Sequence, residues 1–136
     1  MIVRSLHTVI GTERDVDAAT WNSRRLLLKG DGLGFSLHDT VIRAGTETRM
    51  CYRHHFEAVY CIEGRGSIEE LSSGVRHAIE PGTMYALDGH DDHVLRADTA
   101  LRLVCVFNPP LVGDETHGPD GAYPPDPAAA PRQEQR

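Results

Sequence analysis

The stretch Arg53-His54-His55-Phe56-Glu57 holds side chains that bind divalent metals, and His55 and Glu57 fall on one face of a strand. A second group is Tyr85 with His90-Asp91-Asp92-His93. Gly89 turns the chain, so that His93 opens the strand after the one that carries Tyr85. In a closed barrel, ligands from two hairpins meet near the axis. Solvated loop histidines and a core tyrosine are the plainer reading of these residues. Glu57 argues against it, because a carboxylate that faces a barrel interior needs a partner, and a metal ion is the commonest strong one.

The elements that must position these residues are short strands. Turn signals recur about every ten residues, at Gly30-Asp31-Gly32, Ala44-Gly45-Thr46, Glu63–Gly66, Ser72-Ser73-Gly74, Glu80-Pro81-Gly82 and Asp88-Gly89. Between them the pattern predicts strands over Arg24–Lys29, Phe35–Arg43, Thr48–Tyr52, Glu57–Ile62, Ser67–Leu71, Val75–Ile79, Thr83–Leu87, His93–Arg96 and Leu101–Asn108. A short helix over Arg14–Ala19 is also expected. Period-two alternation puts Leu101, Leu103, Cys105 and Phe107 on one face, Glu57, Val59 and Cys61 on another, and Thr83, Tyr85 and Leu87 on a third. Ser36, His38 and Thr40 share a face more polar than a plain core. Together these sets predict an all-β fold, a small barrel or jelly roll whose interior is partly apolar and partly equipped for chemistry.

Length and composition agree. The 136 residues suit one domain. Hydrophobic residues make up 40% and no apolar run reaches the ~20 needed to span a bilayer, so neither a membrane segment nor a signal peptide is expected. The net charge of −6 disfavours nucleic acid and anionic membranes as partners. Cys51, Cys61 and Cys105 are odd in number and form no CxxC, which suggests reduced thiols in a cytoplasmic protein. Residues 1–124 are expected to form the barrel, with 111–123 as a lid over its mouth. The proline-rich stretch 125–136 is expected to be a disordered tail.

Gly45, Glu57 twelve residues on and Gly64 seven further resemble the first motif of the cupin superfamily, and Pro81-Gly82 followed by His93 resembles the second. The usual His-x-His pair would fall on Cys51 and Arg53, so the common three-His-one-Glu site is absent and any metal must use another set, such as Glu57, Tyr85 and His93. With that altered set the sequence resembles the ectoine synthase family of cupin enzymes. The matching segments are Met1–Arg4, Trp21–Leu28, Ala44–Thr48, His55–Gly64, Pro81–Tyr85 with His93, and Cys105–Leu111, and they cover nearly the whole globular part. Relatives often carry histidines where this chain has Arg49 and Cys51, and an amide where it has His54. Cys51 and His54 are therefore candidate extra ligands.

The resemblance implies an activity and a site. Members close N-γ-acetyl-L-2,4-diaminobutyrate into the cyclic amidine ectoine with loss of water, a hydro-lyase reaction of osmolyte biosynthesis. It implies Fe²⁺, with manganese or zinc as substitutes, held at positions that match Glu57, Tyr85 and His93. Substrate-binding positions carry over to Trp21, Arg25, Thr40, Leu87, Cys105 and Phe107, and proton-handling positions to Tyr52, His55, Glu115 and His117. The residue types suit these roles: aromatic walls to bend a flexible substrate, an arginine fork for its carboxylate, and groups to take up and return protons. The expected partners are a small-molecule substrate and a second copy of the chain. Two other classes remain open at this level: a different metal-dependent cupin enzyme, such as a dioxygenase or isomerase, and a non-enzymatic binding barrel. A binding barrel would keep Trp21, Arg25 and Phe107 without needing Glu57, Tyr85 and His93 together.

Overall fold

Alternation of apolar and polar residues builds the sheets. Leu101, Leu103, Cys105 and Phe107 are all buried, while Arg102, Val104 and Val106 between them face outward. In a computed structural model that describes residues 1–128, ten strands run β1 (Asp15–Asp17), β2 (Trp21–Leu27), β3 (Ser36–Ile42), β4 (Glu47–Met50), β5 (Phe56–Glu63), β6 (Gly66–Glu70), β7 (Arg76–Ile79), β8 (Met84–Leu87), β9 (His93–Ala97) and β10 (Leu101–Asn108). They pair antiparallel in two sheets, β1-β2-β3-β10-β5-β8 and β4-β9-β6-β7. A short helix α1 (Leu6–Val9) precedes them.

Inward side chains of both sheets make one apolar cluster. Val59, Leu87, Leu101 and Leu103 come from the larger sheet, and Met50, Ile68, Ile79 and Leu95 from the smaller. Full burial of such a side chain contributes about 1.5–3 kcal/mol. The Glu63–Gly66 corner is packed so tightly that glycine is required. A Cβ on Gly64, whose φ is +93°, would meet the Ala100 carbonyl oxygen at 2.1 Å.

The expected helix over 14–19 is instead strand β1 with a turn. Val16 points into the core, and Asp15 and Asp17 both accept from the Asn22 amide across the β1–β2 pair. Pairing to β2 outweighs a weak helical preference. Strand β4 stops at Met50, earlier than expected, because the Cys51 N–H leaves the sheet and donates to the Gly121 carbonyl (3.1 Å). The expected tail falls largely on residues 129–136, outside those described. Before it, Lys29 pairs with Asp126.

The segment 111–123 returns across the barrel as a strap. Leu111 is fully buried, its carbonyl accepts from the Lys29 N–H (2.8 Å), and Tyr123 is buried at the far end.

Candidate functional site

The register places the chemistry-bearing residues. Phe107 sits opposite Glu57, Cys105 opposite Val59 and His38, and Leu103 opposite Thr40. On the other flank of β5, Val59 faces Tyr85 and Glu57 faces Leu87. Directly opposed residues share a face, so Glu57, Tyr85, Cys105, Phe107 and Thr40 all point inward.

An interior cavity of about 30 Å³ is lined by Trp21, Thr40, Tyr52, Glu57, Tyr85, Cys105, Phe107, His117 and Tyr123, among others. A side cavity of about 170 Å³ lies toward the edges of the two sheets and is lined by Tyr85, Leu87, Asp88, Asp91 and His93. Tyr85 is common to both, whereas Glu57 lines only the interior cavity and His93 only the side cavity. A wider mouth of about 760 Å³ opens over Trp21, Cys51, Arg53 and His117.

The aromatic walls interlock. Tyr52 stacks on Tyr123, with centroids 5.2 Å apart, and meets Phe107 edge-on at the same distance. Trp21 takes the edge of His117 at 5.3 Å. The Tyr52 hydroxyl lies 2.8 Å from His117 Nε2. Burial, with help from Arg25, pushes His117 down to about 4, so its imidazole is neutral at ordinary pH. Burial does the same to His55, also to about 4. Both are proton acceptors in that state.

The donor set fits a divalent cation. Nδ1 of His93 lies 2.8 Å from the Asp91 carbonyl oxygen and donates to it. That leaves Nε2 as a buried lone pair with no partner among the described residues. A ring nitrogen oriented in this way through the other nitrogen is the usual preparation for metal binding. Burial pushes Glu57 up to about 8, and drives Tyr85 well above its ordinary value with a further push from Glu57. An acid, a phenol and an imidazole are oxygen-rich ligand types that, where they converge, suit iron or manganese. A nearby cation favours the ionised forms that burial alone disfavours.

Other residues are placed differently. The Arg25 guanidinium is wholly buried and donates from Nε to Ser23 Oγ, and from its two terminal nitrogens to the carbonyls of Gly113 (2.8 Å) and Glu115 (2.7 Å). The Glu115 carboxylate accepts from the N–H groups of Val112 and Gly113, both at 2.7 Å. His55 packs edge-on against Phe107 and Tyr123, and its Nδ1 is the other buried side-chain polar atom without a partner among the described residues. The Cys51 thiol donates to the His90 carbonyl, and His54 is exposed.

Sequence reasoning placed Tyr123 in the lid but gave it no part in the site, and it missed Ser23 and the full use of His38. The polar alternation Ser36, His38, Thr40 was the available signal for the last. Tyr123 gave none, because only the returning strap brings it inside.

The sheets, the single core and the inward acid, phenol and imidazole define a cupin-type barrel. The Cupin_2 domain of a transcriptional regulator from Enterobacter cloacae superposes on it with a TM-score of 0.57 at 14% identity, over 68% of this chain and 99% of that domain, a likeness of fold alone. Residues 1–127 match the family model described as ectoine synthase. An L-ectoine synthase of Desulfatibacillum aliphaticivorans is 63% identical over 126 residues, covering 91% of this chain and 97% of that protein. One from Halalkalibacterium halodurans is 56% identical, covering 91% and 96%. The crystal structure of the ectoine synthase from P. lautus matches with a TM-score of 0.80 at 60% identity, over 82% of this chain and 80% of that one. The chain belongs to the ectoine synthase family.

Proposed function

We propose that the chain is an L-ectoine synthase that closes N-γ-acetyl-L-2,4-diaminobutyrate to ectoine and releases water. The observation that carries this reading is the buried Nε2 of His93, without a partner among the described residues, in a cavity it lines with Tyr85, which also lines the aromatic-walled cavity with Glu57. In the reaction the α-amine nitrogen bonds to the acetamide carbon, the amide oxygen leaves as water, and a C=N bond remains.

The chain's own residues supply what this needs. Trp21, Tyr52 and Phe107 hold the substrate bent, and such positioning is worth roughly 7–11 kcal/mol in favourable cases. Neutral His117, paired with the Tyr52 hydroxyl, takes the proton that the amine must shed. It returns that proton, and a second that the nitrogen sheds once the C–N bond has formed, to the oxygen that departs as water. His55 and Glu115 are the second candidates for proton handling. Thr40, Leu87 and Cys105 shape the cavity walls, and the strap keeps bulk water out. Arg25 anchors the strap and offers its remaining N–H groups to the substrate carboxylate. Fe²⁺, with manganese or zinc as substitutes, is the proposed cofactor, held by Glu57, Tyr85 and His93. When bound, it supplies Lewis-acid polarisation of the amide oxygen.

The working assembly is a homodimer in the cytoplasm. The outer face of β5 and β8 exposes Phe56, Tyr60 and Met84, at 46%, 49% and 61%. Tyr60 and Met84 are directly paired, and β8 is an edge strand. A second copy is the proposed cover for this face. Sedimentation should give a dimer that Tyr60→Glu dissociates.

The deciding assay is proton NMR of purified protein with the acetylated diamino acid and Fe²⁺. Ectoine signals should appear and a chelator should abolish them. Substrate left unchanged by iron-loaded protein overturns the proposal.

A further inference from the structure

Beneath the strap runs a chain of buried polar groups that the proposed chemistry does not use. His38 is 1% exposed and stands on β3 between two serines. Its Nδ1 lies 3.1 Å from Ser23 Oγ and its Nε2 lies 2.8 Å from Ser36 Oγ. Ser23 and Ser36 are themselves 3% and 0% exposed. Each serine also holds one anchor of the strap. Ser23 Oγ accepts from Arg25 Nε (3.2 Å), and Arg25 in turn holds the carbonyls of Gly113 and Glu115. Ser36 Oγ accepts the N–H of Leu111 (3.0 Å).

The imidazole is suited to this place. Burial first, and the neighbouring Arg25 charge second, hold it neutral. A neutral ring offers one donor and one acceptor. It therefore satisfies both serines without adding a second buried charge beside the guanidinium, where a cation would be costly.

We propose that His38 is a positioning residue: by bridging Ser23 and Ser36 it fixes the Arg25 fork and the Leu111 anchor together, and so holds the strap closed over the cavity. Arg25 donates to Ser23 Oγ and to the carbonyls of Gly113 and Glu115 and lies over the Tyr123 ring, with the Glu115 carboxylate 3.9 Å away and His38 paired beside it on β3. Its direction is thus set largely by neutral hydrogen bonds, which a displaced Ser23 would release. The strap beyond it carries His117 and Tyr123, which cover Trp21.

Trp21 is the only tryptophan in the chain and is 4% exposed, so its fluorescence reads the strap directly. The variants are His38→Leu, which fills the space without hydrogen bonds, His38→Gln, which restores a donor and an acceptor, and Ser36→Ala, which removes the Leu111 anchor and one of the two partners of His38. In His38→Leu, acrylamide quenching of Trp21 should rise and emission shift to the red, with far-UV circular dichroism unchanged. His38→Gln should recover most of the shielding. With the acetylated diamino acid, KM should rise about tenfold in His38→Leu while kcat falls less than about threefold, because the closed, binding-competent state is less populated. The kinetic arm rests on the ring-closing activity proposed above, whereas the fluorescence arm does not, so failure of one is distinguishable from failure of the other. If His38→Leu does not fold, Ser36→Ala gives the same readouts. Trp21 as shielded in these variants as in the parent, or no recovery in His38→Gln relative to His38→Leu, overturns the proposal.

Discussion

His93 is oriented by a backbone carbonyl two residues before it: its Nδ1 sits 2.8 Å from the Asp91 carbonyl oxygen, and its buried Nε2 is left with no partner among the described residues. A hydrogen bond to one ring nitrogen fixes the tautomer of the other. His93→Gln should therefore lower bound iron well below one per chain while the fold persists, and Glu57→Ala should do the same. Metal analysis after reconstitution and gel filtration reads the result. Full stoichiometry in both variants would refute the ligand assignment.

The Tyr52 hydroxyl and His117 Nε2 are joined across the strap at 2.8 Å. Tyr52→Phe removes that hydroxyl but keeps the ring stacked on Tyr123. Loss of a positioned proton-handling group should reduce kcat by about 10²-fold. Turnover at saturating substrate, measured beside a melting curve, separates this from unfolding. Undiminished kcat would remove Tyr52 from the proton path.

Asp31 clasps the N-terminal arm to the barrel. Its carboxylate accepts from both terminal nitrogens of Arg4, from the Leu28 N–H and from Arg14. The Arg4 hydrogen bonds, then that from Leu28, hold it down at about 2 against an ordinary 3.8. A depressed folded-state value means that the clasp stabilises fully above the ordinary value and is lost as pH falls from about 4 through about 2. Asp31→Asn should lower Tm near neutrality and flatten the loss of stability across that window. Melting curves from pH 2 to 7 test it, and an acid limb identical to the parent's would contradict it.

Gly64 has no room for a side chain. With φ at +93° and the Ala100 carbonyl oxygen 2.1 Å from the position of a Cβ, Gly64→Ala must move backbone. The expected cost exceeds about 2 kcal/mol, visible as a large fall in Tm or loss of soluble protein. Gly74→Ala, where no atom lies near, has only the φ of +72° against it and should cost less. Equal melting temperatures for the two variants would show that the backbone contact carries no weight.

Much of the fold was legible along the chain. Leu101–Asn108 is a strand with the bounds that alternation predicts, and its odd residues are buried. Glu57, Val59 and Cys61 face inward as their spacing requires. A period-two pattern is a local property, fixed by backbone geometry once one face is apolar. The family motif was equally legible, because His55–Gly64 and Cys105–Leu111 are continuous stretches.

Local preference failed where distant partners compete. Asp15–Asp17 became a strand because β2 offered a ladder, and β4 ended early because Gly121 offered a carbonyl. The sequence by itself determined which face of each strand is inward and which residues can bind metal or move protons. Only the tertiary structure decided that Arg25 spends its hydrogen bonds on the strap, that Glu115 is held by its own loop, and that His38 joins both anchors. The strap's anchors on Arg25 and Ser36 depend on which buried donor finds which acceptor across 75 to 90 residues of chain. In a dry interior nearly all such groups are paired, and no local pattern names the partner.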